Sequence, residues 1–172
     1  MLREIALALA VGTTSAAEPR ATDGFRAEHV EVGRHLAHIA DWIAVLPGQS
    51  GADRDWTMAR ALTALRTHIV PHAEWEERTL YPLIDRQART VDDNRFTAVM
   101  RREHVIIARS IGALAMDAEK KDGALFARHA ERLLGLIEAH FECEEEVLLP
   151  ILDRTLTRAE FDAAIRAGGE AH

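Results

Sequence analysis

The chain has 172 residues, of which 48% are hydrophobic and 28% are charged, with only five prolines. This composition is typical of an ordered globular protein, and the length favours one domain around one core. The formal net charge of −7 argues against nucleic-acid binding, which needs a basic face to neutralise phosphate. The one cysteine, Cys143, excludes a disulfide framework or a thiolate metal site built from a single chain.

The first residues of the chain are open to two interpretations. Their apolar run, residues 5–11, is far too short to span a bilayer. The small residues 15–17 are compatible with a cleaved signal peptide, but Arg3 and Glu4 cancel where such a signal carries positive charge. We expect residues 1–21 to form a flexible or helical leader of a cytoplasmic protein, with a signal peptide and a periplasmic location as the alternative.

Apolar residues recur with a helical period in the four long segments that follow. The first ends in the Pro- and Gly-containing stretch 46–55, and the second spans about 56–88, before the breaker TVDDN at 90–94. The third stops at KKDG, residues 120–123, and the fourth follows it. The inward-facing residues in chain order are Phe25, His29, Val32, Leu36, Ile39 and Ile43; Leu62, Leu65, Ile69, His72, Glu76, Leu80 and Leu83; Phe96, Met100, His104, Ile107, Ile111 and Leu114; and Phe126, Leu133, Leu136, His140, Glu144, Leu148 and Ile151.

A short fifth helix is predicted by the capping-box pattern TRAE at Thr157–Glu160. No segment alternates with period 2, so we expect no sheet. The chain is therefore predicted to be all-α: an up-down-up-down antiparallel four-helix bundle over residues 22–155, then a short C-terminal helix and tail over 156–172. At Pro71 we expect a kink rather than a break, because the apolar stripe continues on both sides.

Two stretches of the chain are nearly identical: HAEWEERTLYPLIDR at residues 72–86 and HFECEEEVLLPILDR at residues 140–154. Each follows a helix that carries EHV, at residues 28–30 and 103–105. The chain is thus a tandem of two helical hairpins, each with one His on its first helix and His-x-x-x-Glu on its second.

In a helix, residue i+4 lies one turn along and about 40° round from residue i, whereas residue i+5 is turned about 140° away. The pairs that point the same way are His72 with Glu76 and His140 with Glu144. We expect Glu77 and Glu145 to face solvent or a neighbouring helix.

His29 and His104 also lie on apolar stripes, so six polar side chains would meet inside the bundle. Unpaired carboxylates buried there would cost several kcal/mol each or become protonated. Two divalent metal ions satisfy them, with four imidazole ligands, two bridging carboxylates and an oxo or hydroxo bridge. Nitrogen and oxygen ligands without a thiolate favour iron, with manganese or zinc as alternatives.

This pattern resembles the hemerythrin-like domain, also called the HHE cation-binding domain, a four-helix bundle with a non-haem di-iron centre. The resemblance covers about residues 22–155. It implies that the ligands are His29, His72, Glu76, His104, His140 and Glu144. The Glu-x-x-His spacing of ferritin-like proteins, the other family with a metal site in a four-helix bundle, is absent.

Two positions depart from the oxygen-carrying hemerythrins, which have a His-x-x-x-His pair on the third helix and an Asp on the fourth. Here Ala108 follows His104 at that spacing, and the fourth-helix carboxylate is Glu144. The departures argue against a reversible oxygen carrier. His68, one turn before His72, is a candidate fifth nitrogen ligand.

The remaining histidines have simpler interpretations. We expect His35 and His38 on the surface, and His129 too far from His140 to share its site. His172 lies in the tail.

Structural roles are also predicted for several other residues near the repeats. The carboxylates of Glu145 and Glu146 are expected on a solvated face. Cys143 is expected to be a small buried side chain, and Trp75 and Tyr81 to serve packing.

Three functions fit the predicted centre: binding or sensing of O₂, NO or peroxide; an enzyme that decomposes peroxide, reduces NO or oxidises ferrous iron; and iron handling. A purely structural bundle is the remaining possibility. No second acid/base pair lies near the stripes, so the sequence leaves open whether the chain is an enzyme. We expect a small diatomic or peroxide ligand and neither nucleic acid nor membrane as partner; the oligomeric state is open.

Overall fold

A computed structural model of the protein describes residues 19–88 and 95–169. The predicted leader up to residue 18, the predicted break at 90–94 and His172 lie outside the described residues, as does the side chain of Phe96. Within the described ranges, no helix is long and apolar enough to cross a membrane.

The described ranges contain helices, turns and loops but no strand. The helices are α1 (Asp23–Ala44), α2 (Gly51–Trp75), α3 (Tyr81–Ala88), α4 (Arg95–Glu119), α5 (Gly123–Cys143), α6 (Leu149–Thr155) and α7 (Arg158–Gly169). A 3₁₀ turn, Leu46–Gly48, follows α1. Two π-helical turns, Glu76–Leu80 and Glu144–Leu148, join α2 to α3 and α5 to α6 without a loop.

The helices form four rods: α1, α2 with α3, α4, and α5 with α6. Helix α1 packs on α2 and α5, and α4 packs on the same two helices. Helix α7 packs across the π turn Glu76–Leu80. This arrangement confirms the predicted all-α four-helix bundle with a short C-terminal helix.

Helix α2 begins at Gly51, so the prediction that residues 46–55 form a loop up to Trp56 is wrong in its second half. Gly51 has a φ of 58°, which lets the chain turn from the extended Ser50 into the helix. Asp53 lies in the first turn, where a negative charge is favourable. As expected, α2 continues without a break through Pro71.

Buried apolar side chains form two clusters along the bundle. The large core contains, among others, Leu36, Ile39, Leu65, Ile69, Ile107, Leu114, Phe126 and Ile137. The small core contains Ala21, Phe25, Leu80, Tyr81, Leu83, Ile84, Met100, Leu148, Leu149, Leu152 and Phe161. On each rod one buried histidine falls between the two sets: His29, His72, His104 and His140. A polar layer therefore separates the two cores.

The predicted capping box at the start of α7 is confirmed. The Glu160 carboxylate accepts hydrogen bonds from the backbone N–H and the hydroxyl of Thr157, at 2.8 and 2.7 Å. The Glu160 N–H donates to Thr157 Oγ1 at 3.3 Å. These bonds begin α7 where Phe161 can enter the small core.

Each π turn shifts the helical phase of the residues that follow it. A π turn closes with i→i+5 hydrogen bonds and uses about one residue more than an α turn, which is a displacement of about 100°. The sequence placed Ile151 on the inward stripe, but Ile151 is only half-buried, whereas Leu149 and Leu152 are fully buried. The error follows from applying an uninterrupted α-helical period.

Candidate metal centre

The structure brings all six predicted residues together in the layer between the two cores. They are His29 on α1, His72 on α2, His104 on α4, His140 on α5, and Glu76 and Glu144 at the first positions of the π turns. All six are buried, and both glutamates have no exposed surface. Buried carboxylates without exposure require partners, because burial otherwise disfavours their charge.

The six residues fall into two overlapping groups whose ligand atoms lie within 4.8 Å of one another. The members are His29, His72, Glu76 and Glu144 in one group, and Glu76, His104 and His140 in the other. Either group has the composition and spacing to hold a metal ion.

We call Glu76 and Glu144 the inner glutamates. The carboxylate of each lies between the pair His29 and His72 and the pair His104 and His140. Glu76 Oε1 lies 3.0 Å from His72 Nε2, and Glu76 Oε2 lies 3.1 Å from His104 Nε2. Glu144 Oε2 lies 3.4 Å from His29 Nε2, and Glu144 Oε1 lies 3.8 Å from His140 Nε2. The oxygens of one carboxylate thus face different histidine pairs, which is the arrangement of a bridging ligand. The four histidines and the two glutamates are therefore organised around two positions in the layer.

The outer ring nitrogen of each histidine faces a further glutamate. The Nδ1 to carboxylate distances are 3.1 Å for His29 with Glu145, 3.0 Å for His104 with Glu77, 2.8 Å for His140 with Glu103, and 3.5 Å for His72 with Glu28. An ionised carboxylate only accepts hydrogen bonds, so it selects the tautomer with the proton on Nδ1. The Nε2 lone pairs then point into the layer.

We call these four side chains the outer glutamates: Glu28, Glu77, Glu103 and Glu145. Glu145 faces His29 on a neighbouring helix, which was one of its two predicted positions, so its interpretation as a purely solvated residue is wrong; Glu146 is exposed as expected. Glu77 faces a neighbouring helix, which was one of its two predicted positions. Sequence reasoning did not assign a role to the outer glutamates, although their recurrence in both hairpins was a usable signal.

His104 and His140 meet with their Nε2 atoms 2.9 Å apart. Burial lowers the pKa of His140, and its Nδ1 proton is directed to Glu103. With the Nδ1 proton of His104 likewise directed to Glu77, two lone pairs face each other at hydrogen-bonding distance. Such a pair is stable only with a positive charge between or beside the nitrogens.

Several buried polar atoms of the layer have no hydrogen-bond partner among the residues that the structure describes: His29 Nε2, His72 Nδ1 and Nε2, both oxygens of Glu76, and Glu144 Oε2. Leaving one buried polar atom unsatisfied costs about 1–3 kcal/mol, and more for a charged one. Imidazole nitrogen and carboxylate oxygen are ligands of transition-metal cations. The residues present therefore fit a metal centre.

The two inner carboxylates have opposite pKa shifts. Burial, then the Glu76 charge, raises the pKa of Glu144 well above its usual range. Burial also disfavours the charge of Glu76, but the imidazoles of His104, His29 and His72 that face it outweigh this effect and hold that pKa well below its usual range. Burial alone would lower the pKa of His72, yet the Glu28 and Glu76 carboxylates raise it to about 10. A proton on His72 thus stabilises the negative charge that a metal ion would stabilise in its place.

The family model of the hemerythrin HHE cation-binding domain matches residues 20–152. The chain belongs to this family. No curated protein and no solved structure gives a significant match to the chain. In this hemerythrin-like domain, the buried layer of histidines and glutamates is compatible with a metal site.

Tyr81 contributes a hydroxyl to the layer, so the prediction that it serves packing alone is wrong. Its hydroxyl donates to Glu144 Oε1 at 2.6 Å and lies 3.3 Å from the Nε2 atoms of both His104 and His140. Burial and the nearby carboxylates raise the pKa of Tyr81, so the hydroxyl keeps its proton. The equivalent residue of the second repeat is Leu149, and the hydroxyl therefore makes the two halves of the layer different.

An arginine binds each of the two outer glutamates that lie in the π turns. In one half, Arg101 forms ion pairs with Glu77 and with Asp85, the latter also accepting a hydrogen bond from Thr97. The equivalent residues of the other half are Arg26, Glu145, Asp153 and Thr22. The Asp of the repeated phrase thus fixes an arginine that positions an outer glutamate of the hemerythrin-like domain.

The repeated prolines belong to the same arrangement. The Tyr81 N–H donates to Glu76 O in the i→i+5 pattern of a π turn, and the next residue, Pro82, has no N–H for Glu77 O. Arg101 Nη1 donates to that carbonyl at 3.3 Å. The second repeat has the same arrangement, with Leu149, Glu144, Pro150 and Glu145 in these positions and Arg26 Nη1 3.1 Å from the Glu145 carbonyl.

The other candidate residues lie outside the layer. His68 stacks on His35 with ring centroids 3.6 Å apart, so it is not brought to the layer as a fifth histidine. His129 pairs with Asp117 at 2.6 Å, on the part of α5 remote from His140. Cys143 is exposed, which contradicts its predicted burial: it directly precedes the buried Glu144 and is therefore turned about 100° away from it around the helix.

Proposed function

We propose that this hemerythrin-like domain holds two iron ions and that the resulting di-iron centre binds or reacts with O₂, NO or peroxide. The proposed ligands are His29, His72, Glu76, His104, His140 and Glu144. The observation that carries the proposal is the convergence of four Nε2 atoms on two carboxylates whose oxygens face different histidine pairs.

The donor set supports two ions rather than one. His29 and His72 would ligate the first ion, His104 and His140 the second, and the two glutamates would bridge them. Four neutral imidazoles and two carboxylates contribute only two negative charges, so two divalent cations leave the centre able to attract a further ligand. Nitrogen and oxygen donors without thiolate favour iron over softer metals.

The iron would supply ligand binding and redox chemistry, while the chain supplies orientation and protection. The outer glutamates fix the tautomers of the histidines, and such second-layer carboxylates also increase ligand basicity. The apolar cores above and below the layer limit the access of water. The Tyr81 hydroxyl holds a proton against Glu144 Oε1.

An enzyme is the second candidate function, and the Tyr81 hydroxyl is the observation that favours it. Reduction of NO consumes protons, and decomposition of peroxide moves protons between oxygen atoms without net consumption; Tyr81 is a proton-bearing group within hydrogen-bonding distance of the layer. Peroxide turnover and NO reduction, measured for each centre and compared with a Glu76→Ala/Glu144→Ala double variant, separate an enzyme from a binding protein.

Metal analysis tests the proposed function. Protein produced with iron available and purified without oxygen is expected to contain one iron for each of the two groups. Adding O₂, NO or peroxide should then change its optical spectrum. Protein that contains no iron would sink the proposal, and an equal content of zinc would replace iron as the resident metal.

A further inference from the structure

We propose that uncharged diatomic gases reach the layer through one face of the bundle, a cleft between α2 and α4 that ends at His104. In the equivalent cleft between α1 and α5, Phe141 covers the histidine, His29. This inference rests on the proposed function, because it concerns the route to the same centre. It narrows the ligand class to uncharged diatomic gases and assigns to Ala73 the role of keeping the route open.

The α2/α4 cleft has a volume of about 230 Å³. Most of its lining residues are apolar, among them Ile69, Val70, Ala73, Ile107, Ala108 and Ile111. The cleft ends against His104 and its partner Glu77, which places it at the edge of the polar layer.

The α1/α5 cleft occupies the equivalent position when one hairpin is superposed on the other by its sequence repeat. Its volume is about 250 Å³, so size does not distinguish the two clefts. It ends at His29 and Glu145, the counterparts of His104 and Glu77. The difference lies in the residues of the walls.

Phe141 is the counterpart of Ala73, and it covers its histidine. The Phe141 ring stacks on His29 with centroids 4.3 Å apart and planes 10° apart, and it lies edge-on to His72 at 5.3 Å. A methyl group replaces this ring at Ala73. The His29 side chain is accordingly 3% exposed, whereas the His104 side chain is 8% exposed.

The α2/α4 cleft is also the less polar of the two. Val70 lines the α2/α4 cleft, and its counterpart in the α1/α5 cleft is Glu138. Apolar walls favour an uncharged, weakly polar ligand through the hydrophobic effect, whereas acidic side chains at the end and the rim of the cleft disfavour anions. O₂ and NO have the expected properties.

The open cleft also leads to the more polar half of the layer. His104 and His140 are the histidines that lie 3.3 Å from the Tyr81 hydroxyl. The covered cleft leads to His29, which contacts the rings of Phe25 and Phe141. A ligand that arrives beside His104 is therefore close to the Tyr81 hydroxyl, and one beside His29 is close to aromatic carbon.

Xenon tests the route without using the metal, because apolar cavities bind it. In metal-free protein, NMR spectra under xenon pressure should show the largest shifts at the amides of Ala73 and Ala108, and Ala73→Phe should abolish them. Xenon shifts confined to the α1/α5 cleft, equal in both clefts, or absent from both would overturn the proposal.

Exchange of the two wall residues tests the route in the iron-loaded protein. Stopped-flow measurements should show that Ala73→Phe slows NO binding by about tenfold or more, within the range of on-rates seen among variants of one site. Adding Phe141→Ala should restore the rate by opening the second cleft. An unchanged rate in Ala73→Phe would refute the route.

A second variant keeps the test decisive if Ala73→Phe does not fold. Val70→Glu gives the α2/α4 cleft the acidic residue of its counterpart at a half-buried position, and it should also slow NO binding. Iron content is measured for every variant. Absence of iron in all of them contradicts the proposed function and leaves the xenon result standing as a separate test of the cleft.

Discussion

Each histidine of the layer faces one carboxylate on the inside and another on the outside, and the outer carboxylate decides what the inner nitrogen can do. A carboxylate at Nδ1 retains the proton there, which leaves Nε2 as a lone-pair donor. The outer glutamates come from neighbouring rods or from the other hairpin, as Glu145 does for His29. The orientation of the proposed ligands is thus a product of packing between helices.

The inner glutamates should be required for metal binding. Glu76→Ala or Glu144→Ala removes a proposed bridging ligand and should sharply reduce iron content, measured by plasma mass spectrometry. Glu145→Ala removes only a partner of His29 and should weaken metal affinity by about 10- to 100-fold. Glu146→Ala, an exposed neighbour, is the control and should bind as the parent protein does. Equal losses in all four variants would contradict the assignment.

The Tyr81 hydroxyl should stabilise the buried Glu144. Tyr81→Phe leaves Glu144 Oε1 without its donor at 2.6 Å, and the expected loss of stability of the metal-free protein is about 1–3 kcal/mol. Urea unfolding measures it.

A double-mutant cycle with Glu144→Gln isolates this contact. The cost of Tyr81→Phe should fall in the Glu144→Gln background. The same cost in both backgrounds would mean that the hydroxyl acts elsewhere.

At the scale of the elements, the π turns change which side chains of a rod face the layer, which an uninterrupted helix would not do. Each begins at an inner glutamate and shifts the residues that follow by about 100°. Tyr81 lies nine residues after His72, on the opposite side of an ideal α-helix, and the π turn moves it towards the layer. The proline after the turn leaves a carbonyl free, and an arginine from another rod binds it.

Arg101 should therefore contribute to stability and metal affinity, whereas Arg102 should contribute to neither. Arg101→Ala removes the donor to the Glu77 carbonyl and the ion pairs with Glu77 and Asp85. Because Arg101 is partly exposed, the expected loss of stability is only about 1 kcal/mol, together with weaker metal affinity. Arg102→Ala, on the exposed side of α4, is the control. Thermal unfolding and metal titration measure both variants, and equal behaviour would contradict the role of Arg101.

At the scale of the whole molecule, a polar layer lies between two apolar cores, so folding buries groups that are satisfied only in part by the chain. Six atoms of the layer have no hydrogen-bond partner among the described residues. A ligand that binds only the folded state stabilises it by mass action. Metal is therefore expected to contribute to the stability of the bundle as well as to its chemistry.

Metal removal should lower the melting temperature. At a free metal concentration of about 100 times Kd, binding stabilises the fold by about 2.7 kcal/mol. For a domain of this size that corresponds to roughly 5–10 °C. Calorimetry of chelated and reloaded protein measures the difference. The control is Glu76→Ala, whose melting temperature should not change when metal is added. A parent protein whose melting temperature is the same before and after chelation would contradict the expectation.

The sequence by itself determined the helical rods, the tandem of hairpins and the six residues of the layer. Helical period and repetition are local properties, so His-x-x-x-Glu places two side chains on one face in any α-helix. The same local reasoning failed at Tyr81, Ile151 and Cys143. The first two follow a π turn whose extra residue no helical wheel anticipates.

Only the tertiary structure decided which groups surround the layer and from where it can be reached. The partner of His29 is Glu145, far along the chain, and the contrast between Ala73 and Phe141 matters only because each faces a histidine on another rod. Such contacts depend on the register and rotation of packed helices, which side-chain interdigitation sets. Spacing along one helix predicts which side chains share a face, but packing between helices decides what that face meets.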